Sequence, residues 1–452
     1  MTPLGIVLVL AVLTAFALRR GFTRLIAVAA GFPIGVIASV GGQPAPTFFT
    51  LGALACLWLG VEWIAGRGRV RDGSSEHRPG ALSLVIFLGW SLLVTLIAPT
   101  VFEGIPVLVA RGGIDEQFLD PGTLTYTVSN VAQAAYLVIS IGVVFFLAKS
   151  PATTPGLLGI VLGIITVVSF WRLLSLGTGL PYPEGFFDNS TTVRIIEETP
   201  DGEARFRGIF SEPSGLAAAS LTTLVFFALR LRYLGGWGRV GAVAILVMAA
   251  VNAASSTAGT FVAAGLIMVG IVVVFWIGGF VVNRTRLDPV LAAVVILVSG
   301  VGLFFVPTLI AFVESVVSVK ISSSSYGSRT GVDLFSYLLT LDTWGFGVGL
   351  GSNRPSSFLA TLLSCTGVIG AAFFAIAITR LIVAASAKPE YHATIWALVS
   401  VLVSKIVSSP NISDNAALLW ISCGVLAHAA WSENREAEPA PGPPQRLSLM
   451  RR

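Results

Sequence analysis

The chain has 452 residues, of which 55% are apolar and only 11% charged, with a formal net charge of +5. A water-soluble domain carries about 25% charged residues, so this composition cannot cover a protein in water, and most of the surface must meet lipid. The small positive excess goes with basic residues at the cytoplasmic ends of membrane helices, and no nucleic-acid partner is expected.

A membrane-crossing helix takes about 20 mainly apolar residues. Taken in chain order, that rule predicts spans near 3–18, 23–41, 46–65, 80–100, 128–148, 156–176 and 211–230. It continues with 239–256, 258–282, 287–310, 356–379, 391–409 and 413–431. Leu4 to Leu18 is followed by no small-residue cleavage site, so it reads as a first span and not as a removable leader. The expected fold is an all-α polytopic transmembrane bundle of about 12–13 spans with helical or irregular outer loops. Residues 1–431 form one integral membrane domain, with long outer loops at about 101–127, 177–210 and 311–355. The Pro-, Glu- and Arg-rich stretch 432–452 reads as a disordered cytoplasmic tail.

Orientation follows from basic residues in short loops. Alternate loops hold Arg19, Arg20 and Arg24; Arg67, Arg69, Arg71 and Arg78; Lys149; and Arg230, Arg232 and Arg239. The same set continues through Arg284 and Arg286, Arg380 and Lys388, and the tail's Arg435, Arg446, Arg451 and Arg452. That face is therefore cytoplasmic, with the N-terminus outside and the C-terminus inside. Cys56, Cys365 and Cys423 sit in apolar stretches without CxxC spacing, and His77, His392 and His428 are scattered. No disulfide framework, metal cluster or cofactor is expected.

Long loops translocate largely regardless of charge, so basic residues there need another reason. They are Arg111, Arg194, Arg205, Arg207, Lys320, Arg329 and Arg354; Arg172 and Lys405 lie within spans. A guanidinium presents a planar fork of donors that matches phosphate oxygens, so several of them at the outer surface would suit a lipid-linked phosphate. The alternative is solvated charges paired with nearby acids such as Glu197, Glu198, Asp201 and Glu203.

Two motifs concentrate the signal. The first runs Arg205-Phe-Arg207-Gly-Ile-Phe-Ser211-Glu212-Pro213-Ser214-Gly215. Pro213 suits the first turn of a helix and Ser211 could cap it, giving an outward helix N-terminus that attracts anions. The second runs from Arg329-Thr-Gly-Val-Asp333 to Trp344-Gly345-Phe-Gly347-Val-Gly349-Leu-Gly351, followed by Ser356-Ser357 and Gly367-Val-Ile-Gly370. Alternating glycines let a backbone approach a ligand closely, or simply form a re-entrant or interfacial loop. The GxxG spacing suits close helix packing.

On these residues the sequence resembles the O-antigen polymerase and ligase superfamily, the Wzy-type membrane glycosyltransferases. The matches are the RxxGxFxEPS-like segment at 205–214, the spacing from Arg329 to Gly345, the G-x-G-x-G run and the later GxxG, in that order. The resemblance implies a metal-independent, inverting transfer from a polyprenyl-pyrophosphate-linked oligosaccharide to an acceptor sugar hydroxyl. Carried over, Arg207 and Arg329 bind the leaving pyrophosphate, with Arg205, Arg354, Gly345, Gly347 and Gly349 as substrate contacts. Glu212 is a general base or an Arg partner. Membrane lipid and a chain-length regulator are the implied partners, in the bacterial cytoplasmic membrane.

The chain departs from the ligases, which carry a His before the GxxG where this chain has Pro355, Ser356 and Ser357. That favours a polymerase. The Ser-Arg common after the middle short loop is replaced by Ser255-Ser-Thr-Ala-Gly259. Rival readings are a lipid-phosphate-sugar glycosyltransferase using Asp115-Glu116, a transporter or flippase of lipid-linked sugars, and a cell-wall polymerase of the shape–elongation–division type.

Overall fold

The computed structural model describes residues 1–18, 20–40, 42–65, 78–108, 121–190, 195, 197, 205–256, 258–283, 324–414 and 416–436. The expected span 287–310 lies outside them, as do Arg111, Asp115, Glu116, Arg194, Lys320 and the tail beyond 436.

The fold is an all-α polytopic bundle. Lipid offers no hydrogen bonds, so a crossing backbone must satisfy its own, which the α-helix does within one segment. The helices are α1 (Pro3–Ala17), α2 (Phe22–Ala30), α3 (Thr47–Ile64), α4 (Ala81–Val101), α5 (Val128–Lys149) and α6 (Leu157–Thr178). They continue with α7 (Pro213–Arg230), α8 (Gly236–Ser255), α9 (Ala258–Asn283), α10 (Ser324–Asp342), α11 (Phe358–Ser386), α12 (His392–Ser408) and α13 (Ala417–Glu436). Among the described residues, eight helices are long and apolar enough to cross a membrane, and three shorter apolar ones lie in α1, α9 and α13. Side chains such as Leu57, Val61, Trp63 and Ile64 on α3 point outward, as a lipid-facing surface requires.

The span expected at 23–41 is corrected. Only nine residues, α2, are helical. The chain then breaks at Gly31-Phe32-Pro33 and forms an antiparallel hairpin of β1 (Val36–Val40) and β2 (Gln43–Pro46). Proline lacks an amide donor and disfavours helix at the residue before it, which stops α2 there. The freed carbonyl of Ala29 accepts the Thr47 hydroxyl at 2.8 Å. Strand β1 is held from two sides, by the Thr2 amide on Ile37 O at 3.0 Å and by the Asn189 carboxamide on both backbone groups of Val36. A run of apolar residues reads the same whether it becomes a buried helix or a buried strand.

Hydrogen bonds sort the connections into two ends. At one, the β1–β2 hairpin meets Thr2 and Asn189, Phe206 donates to Ser255 O at 3.3 Å, and Arg354 N–H donates to Leu108 O at 3.0 Å. At the other, Arg230 and Tyr233 bond the carbonyls of Glu390 and Pro389, Lys388 bonds Ala429 O, and Trp431 bonds Pro79 O. These are the hairpin end and the basic end. Every described connection falls on the end that strict alternation assigns it, with α2 and the hairpin counted as one excursion. Loop 101–127 carries a short second hairpin, β3 (Pro106–Val107) with β4 (Gly122–Thr123).

The centre of the bundle is α13. Leu419, Trp420, Ile421, Cys423, Val425 and Leu426 are fully buried, surrounded by α2, α5, α6, α11 and α12. The helix continues to Glu436, so residues 432–436, expected in a disordered tail, are corrected to helix. Lys405, in the last turn of α12, is buried. Its ammonium donates to Asn411 O at 2.6 Å and lies 5.7 Å from the Phe358 ring, tying the α12–α13 turn to the start of α11. Lys405→Ala should lower stability by about 2–4 kcal/mol, through a lost charged hydrogen bond and a cavity. Thermal unfolding in detergent measures this, and an unchanged midpoint would remove Lys405 from the framework.

Candidate functional site at the hairpin end

Arg207 sits on the segment that returns from the loop after α6 to the start of α7. It is 4% exposed, and every nitrogen of its guanidinium is used. Nε donates to Glu197 Oε1 at 2.6 Å, Nη2 to Asp188 Oδ2 at 2.8 Å, and Nη1 to the Phe210 carbonyl at 2.7 Å. Arg172, two turns from the end of α6, reaches the same place. Its Nη1 donates to Asp188 Oδ2 at 3.0 Å and to Gly208 O at 2.6 Å, and its Nη2 lies 3.4 Å from Glu197 and 3.7 Å from Glu184. Two guanidiniums therefore converge on one carboxylate oxygen. Buried charges of opposite sign survive only when paired and hydrogen-bonded, and this cluster meets that condition.

The members differ in accessibility. The side chains of Asp188 and Arg207 are 3% and 4% exposed, whereas that of Glu197 is 50% exposed. Glu197 is the solvent-accessible partner that both guanidiniums share. An aromatic cluster of Trp171, Tyr182, Phe186 and Phe187 packs over the turn after α6. Burial, and then the Asp188 carboxylate, push the Tyr182 hydroxyl well above the usual tyrosine range, so it remains a donor. Four of the eight buried side-chain atoms without a hydrogen-bond partner among the described residues are here: Arg172 Nε, Tyr182 Oη, Asp188 Oδ1 and Ser190 Oγ. Native interiors leave few such atoms, so their gathering at one place calls for a polar partner, a buried water or a polar ligand.

The other expected site residues divide. Glu212 occupies the N-cap position of α7 with Pro213 at the first turn, so the expectation that Ser211 caps this helix is corrected. No side chain caps the helix, and the Glu212 carboxylate accepts the Ser214 hydroxyl at 3.1 Å. Arg205 is exposed, beside the cluster, and its amide donates to Glu197 O at 2.6 Å. Arg354 is exposed, with no side-chain hydrogen bond or ion pair among the described residues. Arg329 falls on α10, and its side chain lies outside the described residues. Helix α10 packs against α11 and, through Phe335 and Leu339, against the end of α4 and the β3–β4 hairpin.

The glycine run has a physical explanation that does not need a ligand. The loop 343–357 docks on a break in α11, where Gly367 leaves the helix with φ 70° and ψ 179°. The break frees the carbonyls of Ser364 and Cys365, and the amides of Val348 and Gly349 take them at 2.8 and 3.1 Å. Val368 N–H returns to Gly345 O at 2.8 Å, and Leu350 N–H donates to the Thr95 hydroxyl of α4 at 2.9 Å. At Gly347, with φ 83°, an added Cβ would lie 2.7 Å from Gly367 N and 2.8 Å from Ser364 O. Gly347, Gly349 and Gly351 approach the protein's own backbone, and Gly345 faces the Val368 side chain. Asn130 and Asn353 seal the loop: Asn130 Nδ2 donates to Leu350 O and Ser352 Oγ at 2.7 Å each, and Asn353 Nδ2 donates to Ser336 and Ser364 at 2.9 and 3.0 Å.

Asp188 and Tyr182 belong to neither sequence motif, and Arg172 stands in the sequence only as a charge within a span. The signal available was Pro181-Tyr-Pro-Glu184-Gly-Phe-Phe-Asp188, an aromatic-rich loop with two acids, directly after a span that carries an arginine near its end. No hydrogen bond or ion pair among the described residues joins the Arg207 cluster to the glycine loop. The chain matches no known protein-family model and no curated protein sequence.

Proposed function

We propose that the protein is an integral-membrane glycosyltransferase of the polymerase type, acting at the hairpin end on a polyprenyl-pyrophosphate-linked glycan. The observation that carries this reading is the convergence of Arg172 and Arg207 on Asp188, with the half-exposed Glu197 as their exchangeable anion. The basic residues of the opposite end support an orientation with the hairpin end on the outer face of the cytoplasmic membrane.

In the proposed reaction the acceptor sugar hydroxyl attacks the anomeric carbon. The bond from that carbon to the diphosphate breaks with inversion, and the lipid diphosphate leaves with added negative charge. Arg207 and Arg172 neutralise that charge as it develops, which is the most effective place for fixed cations to act. Arg329 and Arg354 are the further candidates, and Arg205 flanks the entry. Glu212, whose carboxylate accepts one hydroxyl hydrogen bond, takes the acceptor's proton.

A deletion strain should accumulate lipid-linked repeat units on the outer leaflet and make no polymer. Accumulation confined to the cytoplasmic leaflet would replace this reading with a flippase. The guanidiniums do the neutralising that a divalent cation would otherwise do, so transfer should persist in excess chelator. Loss of activity in chelator, restored by divalent metal, would favour catalysis by the acidic pair Asp115-Glu116.

A further inference from the structure

The turn after α6 presents a mixed set of unpartnered polar atoms. Asp188 Oδ1 can only accept, Arg172 Nε can only donate, and the Tyr182 and Ser190 hydroxyls can do both. All four atoms are buried, and Asp188 and Ser190 are 7% and 9% exposed as residues. Apolar ring surface adjoins them, with Trp171 and Phe187 centroids 5.4 and 6.1 Å from that of Tyr182.

We infer that Asp188, Tyr182, Ser190 and Arg172 form a subsite that reads the hydroxyls of the donor's first sugar. This rests on the glycosyl-transfer reading and extends it from the diphosphate to the sugar beside it. The chemistry of the four atoms excludes a phosphate, a bare cation or a hydrocarbon chain as the sole occupant. A phosphate only accepts, so it leaves Asp188 Oδ1 unmet and repels it. A cation meets Asp188 but not Arg172 Nε, and a hydrocarbon chain meets none of them. A pyranose carries hydroxyls that donate and accept at close spacing and a C–H face that packs on aromatic rings. Its place follows from Asp188: Oδ2 holds both guanidiniums at 2.8 and 3.0 Å, so Oδ1 lies beside the group that would hold the diphosphate.

A purely structural role predicts something different. A buried hydroxyl with no partner destabilises the fold, so removing it should raise the melting temperature and leave binding alone. The test uses the full chain in nanodiscs and four probes: undecaprenyl diphosphate, and the same lipid carrying one glucose, galactose or N-acetylglucosamine. At least one sugar-bearing lipid should bind about tenfold tighter than the bare lipid. Tyr182→Phe and Ser190→Ala should each shrink that ratio towards one. Both should leave the bare lipid's Kd unchanged and the melting temperature unchanged or higher. Bare-lipid binding with no gain from any of the three sugars, or a gain that survives both substitutions, overturns the subsite alone. If the bare diphosphate lipid does not bind, or binds equally well to Arg207→Ala, the diphosphate reading falls and the subsite falls with it.

Discussion

Arg207→Ala is expected to abolish polymer formation, with transfer falling by at least about 10²-fold, the usual cost of removing one charge-stabilising donor from a transition state. The substitution also leaves Asp188, whose side chain is 3% exposed, with Arg172 as its remaining guanidinium partner. Breaking a buried pair in this way costs about 3–5 kcal/mol. Activity must therefore be read against the amount of inserted, folded protein. Arg207→Lys sharpens the comparison. It keeps the charge but cannot hold Glu197, Asp188 and the Phe210 carbonyl at once from a planar fork. Asp188→Asn keeps the shape and frees the guanidiniums. If Arg207 served only as a buried strut, all three variants would lose activity in proportion to folded protein. Arg329→Ala is expected to stop polymer formation while the protein still inserts. Normal polymer from both alanine variants would remove both arginines from the site.

Gly367→Ala is expected to damage the fold severely. The residue sits at φ 70° and ψ 179°, a region that is essentially open to glycine alone, and a Cβ there would lie 2.3 Å from the carbonyl oxygens of both Gly345 and Phe346. Backbone strain of this kind costs about 1–3 kcal/mol before any clash is counted. Relief requires the docked loop to move off α11, which would release the Ser364 and Cys365 carbonyls and unseat Asn353. A large fall in folded yield and thermal midpoint is expected. As a control, Gly270→Ala on α9, where nothing lies within 4 Å of the new Cβ, should be silent. A tolerated Gly367→Ala would mean that α11 can run straight.

The architecture was legible wherever a simple rule of physics governs. Lipid exposure demands long apolar helices, and most of the expected spans fall on helices such as α4, α5 and α6 within a few residues. The rule failed at 23–41 because hydropathy counts apolar residues without asking whether Pro33 lets them stay helical. It also gave no hint that α13 is wrapped by other helices, since lipid and protein surroundings select similar side chains.

The candidate site was half legible. Arg207 stands out because a charge beside an apolar span is costly. Its partner Asp188 does not, because only the fold brings the two together. The GxxG at 367–370 illustrates the opposite error. Gly370 does let Trp90 of α4 come close, as helix packing suggests, but Gly367 is a break whose use becomes plain only once the loop 343–357 is seated on it.

The shortness of α2 bears on how the protein is made. Nine residues rise about 13 Å, less than half of a hydrocarbon layer about 30 Å thick, so α2 and its hairpin cannot be stable among lipids alone. The early helices α1 and α3 cover one part, and the rest of the cover comes from α6, which packs on α2, and from Asn189 beyond it, both synthesised far later. The nascent chain must therefore hold this segment in the insertion machinery, or at the water interface, until α6 has entered. Chains truncated before Leu157 should leave residues 31–46 open to modifying reagents, and chains extended past Asn189 should protect them.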